Sequence, residues 1–573
     1  MFKSVESDGP LKLVLFIFHN YIRIPMRNLF LLLILFFRTT LLNAQSDPMS
    51  VEIIINKTQK TQLMLDGEGL EKIIINQKDW LQFENDGFIK YSDLGATGDG
   101  VTDDMIFIKA THAVANEYEF AVKADDGALY YISGKENSAV IHTDTDFGNA
   151  TFLIDDVAVE NINTPIFKVR SRMNPVTISG LNQLKKNQKI TSQLLPEACI
   201  VATSDDKVKR YIRYGLNQNK GRSQTDIFLM DKNGKIDSLA PIIWDFDHIS
   251  EITALPIDQK KLIINGGKFI TISNQAPSKY TYYSRNIDIR RSNSVIQNLK
   301  HFIKGEGEHG APYRGFISIS DCSNVLVKDC IMTGHKTYRT IGAAGKPVFM
   351  GSYDLSVSRA INISFVNCRQ TNDINDNSYW GLFASNYSKN ISFDHCVFSR
   401  FDAHMGVYNA TIRNSTLGYM GINAIGSGKF VVENSTIYGR SLVNLRQDYG
   451  STWEGTFLIK NCVFVPSKRN SGSVSLFSGA NSGMHDFGYT CHMPKNIIIE
   501  QLHIDDSNLE GGNNSISLFA NFNPKMINEN FKEDFPYIRT QKVTIKDLTI
   551  YSNQKLKVSE NQFMFKDLKI TMD

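Results

Sequence analysis

The chain has 573 residues, of which 42% are hydrophobic and 21% are charged, with Gly 39 and Pro 15. This composition is that of a globular protein and excludes a disordered chain, a collagen-like chain or a disulfide scaffold. The 62 basic and 59 acidic residues leave a net charge of +3. Because the charges nearly balance, the chain has no strong overall electrostatic field of the kind that drives nucleic-acid binding. We therefore expect no nucleic-acid partner, and an anionic partner would need a local basic patch.

Residues 1–45 are interpreted as an N-terminal extension followed by an export signal. Arg27 precedes the apolar run 29–37, and a small residue, Ala44, marks the predicted cleavage site. The apolar runs are shorter than the roughly 20 residues that cross a bilayer, so we expect no stable membrane span in the mature chain. For residues 1–25 two explanations stay open: the start codon is assigned too early, or this segment is a membrane anchor. The predicted location is secreted, periplasmic or at the cell envelope.

Residues 46–165 are predicted to form an N-terminal cap and the first coils of a repetitive fold. Residues 98–104 read Gly-Asp-Gly-Val-Thr-Asp-Asp and precede 105–115, an apolar stretch of helical period with Thr102 or Asp103 as its N-cap. This segment resembles the N-terminal motif of the pectate lyase superfamily. The resemblance implies a right-handed parallel β-helix capped by a short helix, and says little about activity. We interpret the acidic residues as turn and cap formers.

Residues 166–260 fit neither the cap nor the repeats that follow, and we interpret them as a small β insertion. They contain a hairpin-like turn at 230–235. A basic and aromatic stretch precedes the turn, comprising Lys207, Lys209, Arg210, Tyr211, Arg213, Tyr214, Lys220 and Arg222. This stretch is a candidate site for a polyanionic glycan, although a solvated charged face is the commoner explanation.

A short sequence pattern recurs through residues 261–573. Each copy consists of an apolar–polar alternation, a polar anchor residue, a Cys or Ser, and another β-prone run. The anchors are Asp329, Asn367, His395, Asn414, Asn434 and Asn461, separated by 38, 28, 19, 20 and 27 residues. Strands joined by tight bends at such intervals are typical of a parallel β-helix. The predicted fold class is therefore all-β, a right-handed parallel β-helix with a capping helix and a β insertion.

The same pattern explains two other residue types. Of the 7 cysteines, four occupy the position after an anchor, and Ser415 and Ser435 take that position in other copies. A disulfide would not tolerate such replacement, so we expect small side chains stacked inside the solenoid. The Asn-x-Ser/Thr sequons are interpreted as ladder residues rather than glycan acceptors. Examples are Asn362, Asn409, Asn414 and Asn434.

Residues at equal offset from the anchors should form columns on one face, because stacked coils repeat their side-chain directions. Nine residues after His395 is His404, and nine after Asn414 is Asn423. The next coil places Asn444 one residue beyond the same offset. We therefore predict a polar column on this face of the solenoid.

The strand 402–408 carries the sharpest group of candidates. Its alternation predicts that Asp402, His404, Gly406 and Tyr408 share a face, with the glycine leaving room for a ligand. Neighbouring loops add residues of the same chemical types. They include His335, Lys336, Tyr338, Arg339, Asn372 to Asp376, Tyr379, Trp380, Arg446, Asp448, Tyr449, Trp453, His485 and His492.

These groups suit β-elimination on a uronic-acid polysaccharide, as in an exported bacterial polysaccharide lyase. Such an enzyme must neutralise a carboxylate, remove the adjacent proton and protonate the departing oxygen. Arg446 would bind the carboxylate, His404 would be the base, and Tyr408 or Tyr338 would donate the proton. Asp402 would orient His404 or hold a cation. The predicted substrate-binding residues are Asn423, Asn444, His335, Lys336, Arg339, Trp380, Asp448, Tyr449 and His485.

The sequence leaves two other functions open. A glycoside hydrolase would pair Asp402 with Asp448, or with Asp373 or Asp376. A non-catalytic glycan-binding solenoid, like a tailspike fibre, would need no such pair. The oxygen-rich run from Asn372 to Asp376 is a candidate calcium site, although structural turns are the commoner explanation of such a run. The expected partner is an anionic polysaccharide, such as a pectate, an alginate or a glycosaminoglycan, and the expected state is a monomer.

Overall fold

The computed structural model describes residues 51–67, 69–467, 473–509 and 515–573. The predicted export signal in residues 1–45 lies outside these ranges and stays a prediction. Among the described residues, no helix is both long enough and apolar enough to cross a membrane.

The described chain opens with a small sheet and two helices. The sheet has the strand order β1-β3-β2. Its strands are β1 (Glu52–Asn56), β2 (Gln62–Asp66) and β3 (Gly69–Asn76), and the helices are α1 (Gln77–Asp86) and α2 (Met105–Tyr118). The side chain of Asn76 accepts the backbone N–H of Lys78, which caps α1.

The start of α2 differs in detail from the prediction. Neither Thr102 nor Asp103 is the N-cap; Asp104 holds that position, with no capping hydrogen bond from its side chain. Its Oδ1 accepts the backbone N–H of Thr97 at 2.6 Å, while Asp103 Oδ1 accepts that of Met105 at 3.1 Å. The acidic run therefore closes the turn that leads into the helix, as expected of turn-forming carboxylates.

A solenoid of parallel strands forms most of the molecule. Its first strands are β4 (Phe88–Lys90), β5 (Asp99–Asp103), β6 (Ala121–Lys123), β7 (Leu129–Ile132), β8 (Ala139–Ile141), β9 (Thr145–Asp155) and β10 (Phe167–Arg170). A separate antiparallel sheet follows, with the order β11-β14-β12-β13. Its strands are β11 (Val176–Thr177), β12 (Cys199–Arg210), β13 (Arg222–Met230) and β14 (Glu251–Pro256).

This antiparallel sheet lies within residues 166–260, the segment interpreted from the sequence as a β insertion and called the insertion below. Strand β10 pairs in parallel with β8, so it belongs to the solenoid. The predicted turn is present: the backbone N–H of Asp231 donates to the carbonyl of Lys235 at 2.9 Å, and Gly234 has a φ of 78°. The insertion therefore begins after Arg170 and ends near β14.

The solenoid then resumes and continues to the C-terminus. Its strands are β15 (Leu262–Ile272), β16 (Ile287–Arg290), β17 (Ser294–Gln297), β18 (Lys300–Lys304), β19 (Arg314–Ser320), β20 (Ser323–Lys328) and β21 (Ile331–Met332). A hairpin follows, formed by β22 (Tyr338–Ile341) and β23 (Pro347–Met350). Next come β24 (Tyr353–Ser358), β25 (Ile361–Val366), β26 (Arg369–Gln370), β27 (Phe383–Asp394), β28 (Val397–Arg413), β29 (Thr416–Ala424) and β30 (Gly426–Glu433).

The last strands complete the parallel β-helix. They are β31 (Thr436–Gly439), β32 (Ser441–Leu445), β33 (Trp453–Pro466), β34 (Ser473–Ser478), β35 (Asn496–Ile504), β36 (Ser515–Phe519), β37 (Lys542–Ile550) and β38 (Lys569–Met572). Within the described residues, the solenoid strands join into one sheet system of 29 strands. Like residues stack from coil to coil inside it: the rings of Phe430 and Phe457 lie 4.9 Å apart and nearly parallel.

The anchor residues of the repeated pattern are the bends of the coils. All of them adopt the left-handed conformation, with φ between 49° at Asn434 and 56° at Asp329. Their amides also form a ladder: Asn414 Nδ2 donates to Asp394, Asn434 Nδ2 to Asn414, and Asn461 Nδ2 to Asn434, at 2.9, 3.2 and 2.9 Å. Asparagine tolerates this conformation better than most residues, which explains its recurrence.

The small residues after the anchors also behave as predicted. All 7 cysteines of the chain are free and buried. Ser415 and Ser435 are buried at the equivalent positions, and the backbone N–H of Ser415 donates to the hydroxyl of Ser435 at 3.1 Å. The interior at each bend is therefore filled by stacked small side chains.

We expect Asn414→Ala to destabilise the fold more than Asn414→Gly. Alanine loses both ladder hydrogen bonds of Asn414, to Asp394 and from Asn434, and is strained at a φ of 51°, for a combined cost of about 3 kcal/mol. Glycine loses the same two hydrogen bonds but adopts this φ freely. Urea unfolding midpoints should rank wild type above the glycine variant and the glycine variant above the alanine variant. Equal midpoints for the two variants would show that the bend conformation carries no cost.

Candidate functional site

Three consecutive coils place a polar column on one face of the solenoid. Asp402 on β28 lies in register with Asn423 on β29, which in turn pairs with Asn444 on β32. Asn444 Nδ2 donates to Asn423 Oδ1 at 2.7 Å. The expected alignment of His404 with Asn423 is therefore wrong. The register of the two strands shifts just after Phe398, which moves Asp402 into the column.

The predicted shared face of residues 402–408 is not formed either. Gly406 has a φ of 86°, so the strand bends there and its alternation is broken. The space beside Gly406 is filled by the hydroxyl end of Tyr211 from the insertion. Beyond the bend, the Tyr408 ring lies 5.9 Å from Lys389 Nζ and lines a separate cavity of about 270 Å³.

Arg446 joins two carboxylates at the end of the column. Its Nη1 lies 3.0 Å from Asp402 Oδ1, and its Nη2 lies 2.8 Å from Asp448 Oδ2. Arg400 Nη2 also contacts Asp402 Oδ2 at 2.5 Å, and Arg213 of the insertion contacts Asp448 Oδ2 at 2.7 Å. Both carboxylates are thus bracketed by two guanidinium groups each.

These contacts set the protonation states of the site. Burial alone would raise the pKa of Asp402, but Arg400 and Arg446 outweigh it and hold that pKa below its ordinary value. Burial would also raise the pKa of Asp448, but Arg446, with a contribution from Arg213, outweighs it and holds that pKa well below its ordinary value. Burial, together with Arg446, lowers the pKa of His404 to about 3. At neutral pH both carboxyls are therefore ionised and His404 is uncharged.

A cleft of about 920 Å³ lies over this column. Its floor includes Arg400, Asn423, Asn444 and Arg446. Its walls come from the insertion (213–217), the β22–β23 hairpin, and the loops that follow β34 and β36. Its volume lies in the upper part of the range of about 300–1,000 Å³ that is usual for ligand sites.

The charge lining the cleft is predominantly positive. The cationic residues are Arg213, Arg400, Arg446 and Lys525, and Asp448 is the carboxylate among the lining residues. Asp402 lies beneath the floor with no exposed surface. Arg400 is only 5% exposed, and its Nε and Nη1 atoms have no hydrogen-bond partner among the described residues. The cleft therefore presents an excess of positive charge to a ligand.

Aromatic groups and one imidazole also line the cleft. The ring of Tyr214, which is 60% exposed, lies 4.9 Å from that of His485. Phe349, Phe487 and Phe522 also line the cleft. His485 Nε2 has no hydrogen-bond partner in the part of the chain that the structure describes. Tyr214 and His485 are thus side chains capable of proton transfer that line this cleft.

The predicted site residues divide into three groups. Those that line the cleft are Asn423, Asn444, Arg446, Asp448 and His485. Asp402 and Tyr449 are buried, with Tyr449 packed between the guanidinium groups of Arg213 and Arg446 at 5.3 Å from each. Those outside the cleft lining are His404, Tyr408, Tyr338, His335, Lys336, Arg339 and Trp380.

Two charged cleft residues, Arg400 and Lys525, were missed as site candidates. Arg213 and Tyr214 were named in the candidate glycan site of the insertion, but their place over the solenoid was not predicted. Arg400 stands two residues before Asp402 and could have been found from that proximity. Lys525 lies in a loop with no repeat pattern, and no sequence signal pointed to it.

His335 belongs to a separate buried cluster. Its Nδ1 lies 3.3 Å from Glu306 Oε1, and its Nε2 lies 3.8 Å from Asp354 Oδ1. His301 Nδ1 contacts the same Asp354 oxygen at 2.7 Å, and the ring of Tyr313 stacks on His335 at 4.9 Å. Burial would lower the pKa of His335, but Asp354 and Glu306 raise it to about 9. The cluster joins three coils and lies apart from the cleft.

The candidate calcium run behaves locally as turns. Asp373 Oδ1 accepts the backbone N–H of Asn375 at 2.9 Å, and Asp376 Oδ1 accepts that of Ser378 at 2.8 Å. Among the described residues, the group with clustered potential metal ligands lies elsewhere, at Asp205, Asp206 and His248 of the insertion. Calcium binding by the run stays a prediction.

Comparison with known proteins identifies the fold. No family model matches the chain, and no curated protein matches it in sequence. The tailspike of Pseudomonas phage phi297 is similar in structure, with a TM-score of 0.53 at 11% identity over 85% of this chain and 84% of that chain. The tailspike of Pseudomonas phage LKA1 has a TM-score of 0.46 at 11% identity over 84% of each chain.

A third similar structure is the tailspike of Acinetobacter baumannii bacteriophage AP22 in complex with a capsular saccharide. Its TM-score is 0.44 at 11% identity over 89% of this chain and 81% of that chain. Likeness at such identity shows the fold alone. The right-handed parallel β-helix predicted from the sequence is confirmed, whereas the pectate lyase resemblance stays a prediction.

Replacing Arg446 should destabilise the protein strongly. Arg446→Leu leaves Asp402 and Asp448 without their shared partner, and removing one partner of a buried ion pair costs about 3–5 kcal/mol. Arg413→Leu is the matched control, because Arg413 contacts Asp394 at the surface with 55% of its side chain exposed. The control should cost at most about 1 kcal/mol. Urea unfolding of both variants measures the two losses in the free energy of unfolding. Equal losses would show that the Arg446 ion pairs contribute no more to stability than an exposed ion pair.

The His335 cluster predicts a loss of stability at alkaline pH. The native pKa of about 9 lies above the ordinary value of 6.5. The stabilisation is therefore complete below about pH 6.5 and disappears as pH rises through about 9. Urea midpoints should fall over this window in the wild type and much less in His335→Gln. Parallel curves for the two proteins would contradict a charged His335.

Proposed function

We propose that the protein is a polysaccharide lyase that binds an acidic polysaccharide in the cleft and cleaves it by β-elimination. The observation that carries this proposal is the positive lining of a sugar-sized cleft, in which four cationic side chains accompany one lining carboxylate. Fixed positive charge attracts and orients anionic ligands. An acidic polymer outside the cell would also suit the export signal predicted for residues 1–45.

The cleft residues can supply each step of such a reaction. The guanidinium groups of Arg400 and Arg446 would stabilise the negative charge that develops on the uronate as the adjacent proton leaves. His485 would remove that proton, and Tyr214 would protonate the departing oxygen. These assignments replace His404 as the proposed base and Tyr408 or Tyr338 as the proposed acid. His404 and Tyr338 are not among the cleft-lining residues, and Tyr408 lines a different cavity.

The hydrolase alternative is weaker on electrostatic grounds. A hydrolytic pair needs one carboxyl that holds a proton at working pH. Asp402 and Asp448 both have lowered pKa values because arginines surround them. Asp373 and Asp376 are engaged in turns of their own loop. The non-catalytic alternative shares the same cleft, so only an activity measurement separates it from the lyase.

Ultraviolet absorbance of the unsaturated uronate product tests the proposal. The protein is incubated with pectate, alginate, chondroitin sulfate, hyaluronan and heparin, and absorbance should rise with one of them. His485→Ala should slow the reaction by about 10²–10⁴-fold, as expected for loss of a general base. His309→Ala is the matched control, because His309 is exposed and does not line the cleft, and it should retain full activity.

Other results of the same experiment would support the hydrolase or the glycan-binding alternative. New reducing ends without absorbance would indicate a hydrolase. Binding of an acidic polysaccharide without either signal would leave a glycan-binding solenoid. Absorbance that persists in His485→Ala would contradict the proposed base while keeping the lyase.

A further inference from the structure

The walls of the cleft are joined to one another by hydrogen bonds. The first junction is between the β22–β23 hairpin and the insertion, where the backbone N–H of Ala344 donates to the carbonyl of Leu216 at 3.0 Å. On the cleft side of the hairpin, Val348 and Phe349 contribute lining. The hairpin arises from coils that precede the floor strands, so it stands at the N-terminal end of the cleft.

The second junction is between the insertion and the loop that follows β34. The backbone N–H of Ile212 donates to the carbonyl of Phe487 at 3.3 Å, and Arg210 Nη1 donates to the carbonyl of Gly488 at 2.7 Å. The insertion itself is fixed to the solenoid by the buried ion pair of Lys389 and Asp226, whose atoms lie 2.7 Å apart. This wall is therefore attached both to the solenoid and to the loop that follows β34.

The third junction is between the loop that follows β34 and the loop that follows β36. The backbone N–H of Asn481 donates to the carbonyl of Phe522 at 2.6 Å. Asn523 Nδ2 also donates to the carbonyl of Ser482 at 3.3 Å. The second of these loops comes from a coil beyond the floor strands, so it stands at the C-terminal end of the cleft.

The four segments thus form one continuous arc around the floor. Among the described residues, no hydrogen bond joins the β22–β23 hairpin to the loop that follows β36, so the hydrogen-bonded arc is not closed between these two segments. A polymer that crosses a cleft needs two openings, whereas a chain end needs only one. We propose that the cleft accepts the end of a glycan chain, so that the enzyme is exo-acting. This inference rests on the proposed function of the same cleft.

Binding measurements test chain-end recognition independently of catalysis. The wild-type protein is titrated with equal masses of one acidic polysaccharide before and after shortening by sonication. Because shortening multiplies the ends, saturation binding per unit mass should rise in proportion to the number of chains. Saturation binding that is unchanged by shortening would show recognition of internal residues and would overturn the inference.

Product analysis gives the second test on the same substrate. An exo-acting enzyme should release short products from the start, while the viscosity of the polymer falls slowly. An early collapse of viscosity would overturn chain-end action while leaving the lyase proposal intact. Absence of both binding and cleavage across the polysaccharide panel would overturn the proposed function, and the inference with it.

A wall variant provides the converse test. Residues 342–346, which form the tip of the β22–β23 hairpin, are replaced by two glycines, which removes the contact with Leu216. We expect the opened variant to cleave internal bonds, seen as a several-fold faster fall in viscosity per bond broken. Its folding is checked by circular dichroism and its melting temperature. A folded variant with the wild-type product pattern would show that this wall does not restrict the substrate.

Discussion

The left-handed bend at each coil is the constraint on which the rest of the structure depends. A parallel solenoid must turn at the same place in every coil, and the turning residue has a positive φ that most residues adopt only at a cost. Asparagine and aspartate lower that cost, and the ladder of their side chains holds neighbouring coils in register. Register in turn decides which polar side chains meet on the outer face.

The charge network on that face follows from the register. Asp402 enters the column because the strands shift just after Phe398, and Arg446 reaches it from two coils further along the chain. Arg213 completes the network from the insertion, which contributes both charge and a wall to the cleft. The insertion thus adds one wall and one guanidinium group to a cleft whose floor is a face of the repetitive fold.

The repeats made much of the fold predictable, because each anchor residue carries its own bend. The residues that face the cleft were harder to predict. Counting residues from the anchors placed His404 beside Asn423. The register shift between β28 and β29 is not visible in such a count, and it brings Asp402 beside Asn423 instead. Gly406 suggested open space, which Tyr211 fills from nearly two hundred residues earlier in the chain. Lys525 lies in an irregular loop, so only the folded chain shows where it reaches.

The proposed function depends on recognition of the negative charge of an acidic polysaccharide by the cleft. An acidic polysaccharide that binds the protein is titrated by calorimetry, and the same polymer is titrated after chemical reduction of its carboxylates to alcohols. We expect the native polymer to bind and the reduced polymer not to bind. Equal binding of the two polymers would contradict charge recognition, because the arginines and Lys525 would then have no part in it.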